Sequence, residues 1–398
     1  MAMPVFATLG CGADFDTPDE VKSLRVLAIQ KDHPYAAPTL DPSNPSLVQM
    51  TMLWHDGLPT PGDEPRDIQR LWFSGSENLP GDQYFSGMAR IYALWQVWSA
   101  RHTIEELQDG ASWSPVDDLP PTPEARNAEL AFLLQQVGSP VPIDLAESYF
   151  STYRIGLGDR FTYPIPPRII ENHRSSDPEI PPYGLAFVFF TACAGHIDVA
   201  PEWQNLNFGS TLRDATLGFP FLCLDGTGTP LDSDSYVAGY TQQFVYGDGS
   251  ANLNPVIDSV NWNGTPVDFC RDGDCVPEAE YASCEDPDKP LAHARACKDH
   301  CPTYDLKPVL KPEDNDDVDT FTSASGNPVS EQMWIDYYSS GGEFDGAARA
   351  LRDTTLGWFD DYGQKWKAPP DVGPVWLWAV VHDNRGGAAW VRLQVCVD

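Results

Sequence analysis

Residues 375–397, VWLWAVVHDNRGGAAWVRLQVCV, set two apolar, β-branched and aromatic stretches on either side of Asp383, Asn384, Arg385, Gly386 and Gly387. Those five residues suit the positive φ angles of a tight loop, so the pattern predicts a β-hairpin. In its second arm the odd positions Ala389, Val391, Leu393, Val395 and Val397 are apolar, while the even ones are Trp390, Arg392, Gln394 and Cys396. Period-two alternation assigns the odd face to the core of a β-sandwich that this hairpin closes. The even face, with Trp376 and Trp378 on the first arm, falls outside, where a loop or neighbouring domain would cover it.

The same alternation recurs upstream. Residues 23–30, 47–54, 70–73, 160–170, 221–224 and 236–246 read as strands, and 185–193 (LAFVFFTAC) is apolar nearly throughout, as a central strand would be. Helical spacing interrupts this series. Ile91, Leu94, Val97, Trp98, Ile104 and Leu107 follow it, with Gly110 placed to stop the helix. A second helix has Thr122 to cap it, Pro123 in its first turn, and Leu130, Leu133, Leu134 and Val137 as a stripe ending at Gly138. Beyond Asn254-Pro255, residues 256–262, 304–310 and 332–338 are further strands, the first followed by an Asn263-Gly264 turn.

At 398 residues the chain is long enough for two or three domains, at roughly 100 to 200 residues each. Two are expected: 23–253, with a mostly helical insertion over about 88–156, and 254–398, with a Cys-rich insertion over about 269–305. Proline, at 37 of 398 residues, is nearly double the usual share of about 5% and favours short strands and structured turns. The formal charge is −33. Such a polyanion is repelled by phosphate backbones, which excludes nucleic acid as a partner and suits solubility in a salty or extracellular medium. No segment approaches the ~18 apolar residues of a spanning helix.

Cysteines stand at 11, 193, 223, 270, 275, 284, 297, 301 and 396. The eight beyond residue 190 form an even set in a Gly/Pro-rich, acidic chain, the pattern of a disulfide framework made in an oxidising compartment. Cys193 and Cys223 are the natural pair of the first domain. The remaining six, Cys270, Cys275, Cys284, Cys297, Cys301 and Cys396, satisfy three bridges whose connectivity the sequence leaves open. Cys11 is left over. Residues 1–12, MAMPVFATLGCG, resemble the end of a bacterial lipoprotein signal, in which the cysteine becomes the lipidated first residue. That resemblance implies attachment to a membrane through an N-terminal lipid alone, with 12–22 as an acidic tether.

A second resemblance rests on Trp366, Ala368 and Pro369, followed by Gly373, Val375, Leu377, Ala379, Val380, Val381, Asp383, Arg385, Gly386 and Gly387. This series is similar to the last strands of PKD-like and related immunoglobulin-like domains of bacterial surface proteins. With the opening strand and Cys11, the whole resembles predicted lipoproteins of myxobacteria and their relatives. The fold class expected is therefore mainly β: tandem immunoglobulin-like β-sandwiches, the first with a mostly helical insertion and the second disulfide-rich.

Candidate chemistry is sparse. The cluster C-x4-C-x8-C-x12-C-x3-C lies near His293 and His300, but it lacks the C-x2-C pairs that structural zinc favours, so disulfides are the expectation. Asp314, Asp316, Asp317 and Asp319, or Asp225, Asp232 and Asp234, could offer oxygens to calcium; neither run matches an EF-hand, and solvated acidic loops are the plainer reading. No G-x-S-x-G or H-E-x-x-H motif occurs. His196 reads as a polar loop residue, and Trp376 with Trp378 as buried rings before a sugar-stacking platform. The function expected is a non-enzymatic cell-envelope or extracellular lipoprotein acting as a binding or structural module, with a protein or glycan partner at the cell surface. A calcium- or carbohydrate-dependent adhesin and a secreted hydrolase are the alternatives.

Overall fold

Runs that alternate, or are apolar throughout, become strands wherever Gly, Pro, Asn or Asp bounds them. The computed structural model describes residues 19–42, 44–58, 65–79, 87–137, 141–173, 182–204, 219–248, 250–271, 284, 292–298, 300–315 and 331–398. It is mainly β. The first half contains β1 (Leu24–Lys31), β2 (Tyr35–Ala36), β3 (Leu47–Asp56), β4 (Gln69–Glu77), α1 (Met88–Ser99) and β5 (Ser112–Trp113). It continues with α2 (Pro123–Gln136), α3 (Ile143–Phe150), β6 (Ile155–Leu157), β7 (Arg160–Pro164) and β8 (Tyr183–Cys193). β9 (His196–Val199), α4 (Pro201–Gln204), β10 (Phe221–Leu224) and β11 (Tyr236–Tyr246) complete it. The second half contains β12 (Ile257–Trp262), β13 (Thr265–Val267), β14 (Cys270–Arg271), β15 (Ala292–Ala294), β16 (Thr303–Leu310) and α5 (Pro312–Asn315). Then come β17 (Met333–Ser339), β18 (Glu343–Phe344), β19 (Ala348–Asp353), β20 (Gly357–Trp358), β21 (Gln364–Lys367), β22 (Gly373–Asp383) and β23 (Ala388–Val397).

The halves repeat one connectivity without sharing a sequence. In the first, β1, β3 and β7 form one sheet, and the other runs β2-β11-β8-β4-β6-β5. In the second, the orders are β13-β12-β16-β21-β18 and β14-β23-β22-β17-β19-β20. Thus β1, β3, β4, β6, β7, β8 and β11 correspond in sheet position to β12, β16, β17, β19, β21, β22 and β23. The connection between the first two strands of each half also supplies a short strand, β2 or β15, that pairs parallel with the last strand of that half.

Each pair of sheets encloses a core. Met50, Trp72, Phe161, Tyr163, Val188 and Phe190 fill the first, and Val260, Leu306, Ile335, Trp366, Leu377 and Val391 the second. β8 is buried on both sides from Gly184 onward, because the helices pack Ile91, Leu94, Trp98, Leu130, Leu133 and Phe150 against its odd-numbered face. The apolar run at 185–193 has this double burial as its cause. Two local expectations differ from the structure. The first helix ends at Ser99 rather than near Gly110: Thr103 is extended, and Ile104 and Leu107 belong to a separate 3-10 turn and its cap. Thr122 occupies the N-cap of α2 but makes no side-chain bond there.

The even face of the closing hairpin is covered by the neighbouring half, one of the covers expected for it. Every residue of β23 is buried. Trp376 and Trp378 pack with Val21 and Leu27, and Val380 and Trp390 with Ala28, so β1 of the first half covers them. Nor is β23 an edge, since β14 and β15 pair along its far side. Polar contacts finish the seam: Gln30 Nε2 donates to the Ala388 carbonyl at 2.9 Å, and Asn254 Nδ2 to that of Lys31 at 2.6 Å. Before β1, Val21 N–H donates to the Ser339 carbonyl and Ser339 N–H to that of Asp19, both at 2.8 Å. Within the stretch 12–22 expected as a tether, residues 19–21 are docked on β17.

Candidate functional site

β11 pairs with β8 along all eleven of its residues, while β2 meets only Phe244 and Val245 on its other side. Period-two geometry puts Tyr236, Ala238, Tyr240, Gln242, Phe244 and Tyr246 on one face. The register sets Tyr240 opposite Phe189, Gln242 opposite Phe187, and Tyr246 opposite Tyr183. Two groups of rings result, with Gln242 between them. Tyr240 lies 5.6 Å from Phe187 and 6.1 Å from Phe189. Further along, Tyr35 of β2 lies 4.7 Å from Tyr246 and 6.2 Å from Phe244, and Tyr183 is 5.8 Å from Tyr246. His173 closes the end with its ring 4.1 Å from Tyr183.

The row is partly accessible, with Tyr183 and Phe244 resting against the core beneath the helices. Tyr240 is 40% exposed, and Tyr35, Tyr183, Gln242, Phe244 and Tyr246 are half-buried. Residues 236–246 contain no Asp, Glu, Lys or Arg, in a chain whose net charge is −33. Charged neighbours stand at one end: Lys31, with Nζ donating to the Gln242 carbonyl at 2.8 Å, and Arg385 and Asp383, whose charges act on Tyr35. Burial first, and then the Tyr246 phenol, push the Tyr35 hydroxyl well above the ordinary tyrosine range, so it stays a neutral donor and acceptor. Such a surface offers flat apolar faces, phenol tips and an amide, which together recognise molecules with both apolar faces and hydroxyls.

The residues singled out by sequence fall elsewhere. Cys193–Cys223 joins β8 to β10, Cys284–Cys396 ties the long insertion to β23, and Cys297–Cys301 closes a short loop. Cys270 is disulfide-bonded as well. Cys11, Cys275, Asp316, Asp317 and Asp319 lie outside the described residues. With Cys297 and Cys301 bonded to each other, their thiols are withdrawn from zinc; His293 bonds Asp398 at 2.8 Å, and His300 takes a left-handed φ of 53°. Asp314 sits in α5. Asp225 is engaged in its own turn by Thr227 and Thr229, which hold its carboxyl low, and Asp232 accepts from Asp234 N–H. His196 is exposed on β9 opposite Leu224. Among the described residues no group of three His, Cys, Asp or Glu side chains could hold a metal ion, and no helix is long and apolar enough to cross a membrane.

Buried charge outside the row has structural partners. Burial raises Glu77, which accepts from Thr152 Oγ1 at 3.1 Å and Tyr163 at 3.3 Å with Arg90 as counter-charge, fastening β4 and β7 to the helical segment. Compared with known proteins, the chain matches no family model and no curated protein. The β11 row was missed by motif searching, yet it left a signal: an eleven-residue strand without one charge, with tyrosines at alternating places, in a strongly acidic chain.

Proposed function

We propose that this chain is a non-enzymatic binding module of the cell envelope or extracellular medium, held by a lipid on Cys11, whose β11 row contacts a neutral glycan. One observation carries the reading: the charge-free row of Tyr35, Tyr183, Tyr240, Gln242, Phe244 and Tyr246 on an otherwise polyanionic molecule. A neutral sugar chain meets no electrostatic penalty there, and its ring faces and hydroxyls suit tyrosine bodies and tips. Export is supported by the disulfides, which persist in oxidising compartments. The finer fold we infer is two immunoglobulin-like sandwiches in tandem, of PKD-like character. Its support is the recurrent order in which the first, second and fifth strands face a sheet of the third, fourth, sixth and last.

The test is retention on immobilised neutral polysaccharides, with the double variant Tyr240→Ala/Tyr246→Ala beside the parent. Retention of the parent and at least a tenfold weaker affinity of the variant, about 1.4 kcal/mol, are expected. A parent that binds no neutral polysaccharide, or a variant that binds equally well, would reject the assignment of this surface.

A further inference from the structure

His102 stands just beyond the end of α1, and each of its ring nitrogens meets a carboxylate. Nδ1 lies 2.9 Å from Glu106 Oε2 and Nε2 lies 2.9 Å from Asp118 Oδ2. An ionised carboxylate can only accept, and a neutral imidazole carries a single N–H. With a neutral ring, one of the two contacts sets a nitrogen lone pair against an anionic oxygen. Both contacts are satisfied together when the ring carries two protons.

The surroundings favour that state. Trp98 stacks on the ring at 6.3 Å and Trp113 lies at 5.6 Å. Trp113 Nε1 donates to the same Asp118 oxygen at 3.2 Å, which fixes that carboxylate in place. Arg101, from the same turn, is the nearby cation; it bonds Glu129 of α2 at 2.5 Å and stays 3.9 Å from Asp118. Asp117 is occupied with the Ser114 N–H at 2.8 Å, and Glu105 bonds Thr103. The two facing carboxylates hold His102 above the ordinary histidine range, the Asp118 bond being the larger cause.

We propose that His102 is a proton-operated clasp on the helical insertion. Doubly protonated, it ties the end of α1 to the turn at Ile104–Glu106 and to the turn at Pro115–Asp118, which follows β5 at the edge of the six-stranded sheet. On losing a proton it keeps one carboxylate and repels the other, so this corner loosens while the sheets beneath it stay paired. Its side chain is 24% exposed, so the proton exchanges with solvent without unfolding. The clasp is shut in acid and opens as the medium turns alkaline past the raised value.

The test uses the full disulfide-bonded chain. Ring-proton NMR would follow His102, and hydrogen exchange, corrected for intrinsic rates, would compare residues 101–118 at acidic and mildly alkaline pH. A titration midpoint above that of free histidine is expected, with several-fold stronger protection in acid. Asp118→Asn should lower the midpoint, and His102→Gln should leave protection independent of pH. A midpoint at or below about 6.5, or pH-dependent protection that survives His102→Gln, would overturn the proposal.

Discussion

Lys31 permits a quantitative prediction whose sign is unusual. It lies 3% exposed where β1 meets the tip of the β22–β23 hairpin, and a Cβ placed on Gly386 would stand 2.8 Å from its Nζ. Burial lowers its pKa from 10.5 to about 8, with Asp383 opposing the fall. A base whose folded pKa is depressed binds fewer protons folded than unfolded between those two values. Stability must therefore rise with pH across that window, and below it the full cost of burying the charge is present. At about 1.4 kcal/mol per pH unit the interval amounts to about 3 kcal/mol, of which about 1 should be recovered by pH 9. Urea unfolding followed by tryptophan fluorescence at pH 7, 8, 8.5 and 9, with disulfides intact, would measure it. In Lys31→Met the rise should vanish, although the Gln242 carbonyl loses its donor and baseline stability shifts by about 1–3 kcal/mol. Above about pH 9 the trend reverses, because burial keeps Tyr35, Tyr153, Tyr163, Tyr236, Tyr337 and Tyr338 protonated in the folded chain while the unfolded one begins to release its protons. A parent curve that is flat or falling between pH 7.5 and 9, or an equal slope in Lys31→Met, would refute the reasoning.

Two further outcomes follow from packing and covalent closure. Trp378→Ala removes a fully buried ring that packs with Val21 and Leu27, and should cost about 3–5 kcal/mol in urea unfolding; a loss under about 1 kcal/mol would contradict the seam described. Replacing both Cys284 and Cys396 by serine opens a loop of 112 residues and should cost about 4–5 kcal/mol, with an unchanged midpoint as the refuting result.

Much of the architecture was legible because alternation is a local signal. Tyr236–Tyr246 and Phe221–Leu224 are strands with the bounds their patterns give, and the odd face of β23 lies in the core of the second half. What was not legible depends on distant partners. The sequence shows that the even face of the hairpin, with Trp376 and Trp378, needs a cover, and the structure supplies one, but which segment covers it, β1 hundreds of residues away, has no local signal. The first helix was overextended because Ile104 and Leu107 keep its period after the backbone has turned extended at Thr103. The β11 row escaped notice for another reason: its rings become a surface only when β2 and β8 bring Tyr35 and Tyr183 beside Tyr246.

The docking of Asp19 and Val21 on Ser339 also sets a mechanical order. Tension applied upstream of Asp19 does not reach β1 first. It enters through the second half, where Asp19 Oδ2 accepts from Phe344 N–H and the Asp19 and Ser339 backbones are bonded, and passes on only when those bonds part. Residues 19–21 are thus a strap across the seam. A pull on it loads the joint between the halves before it loads either fold.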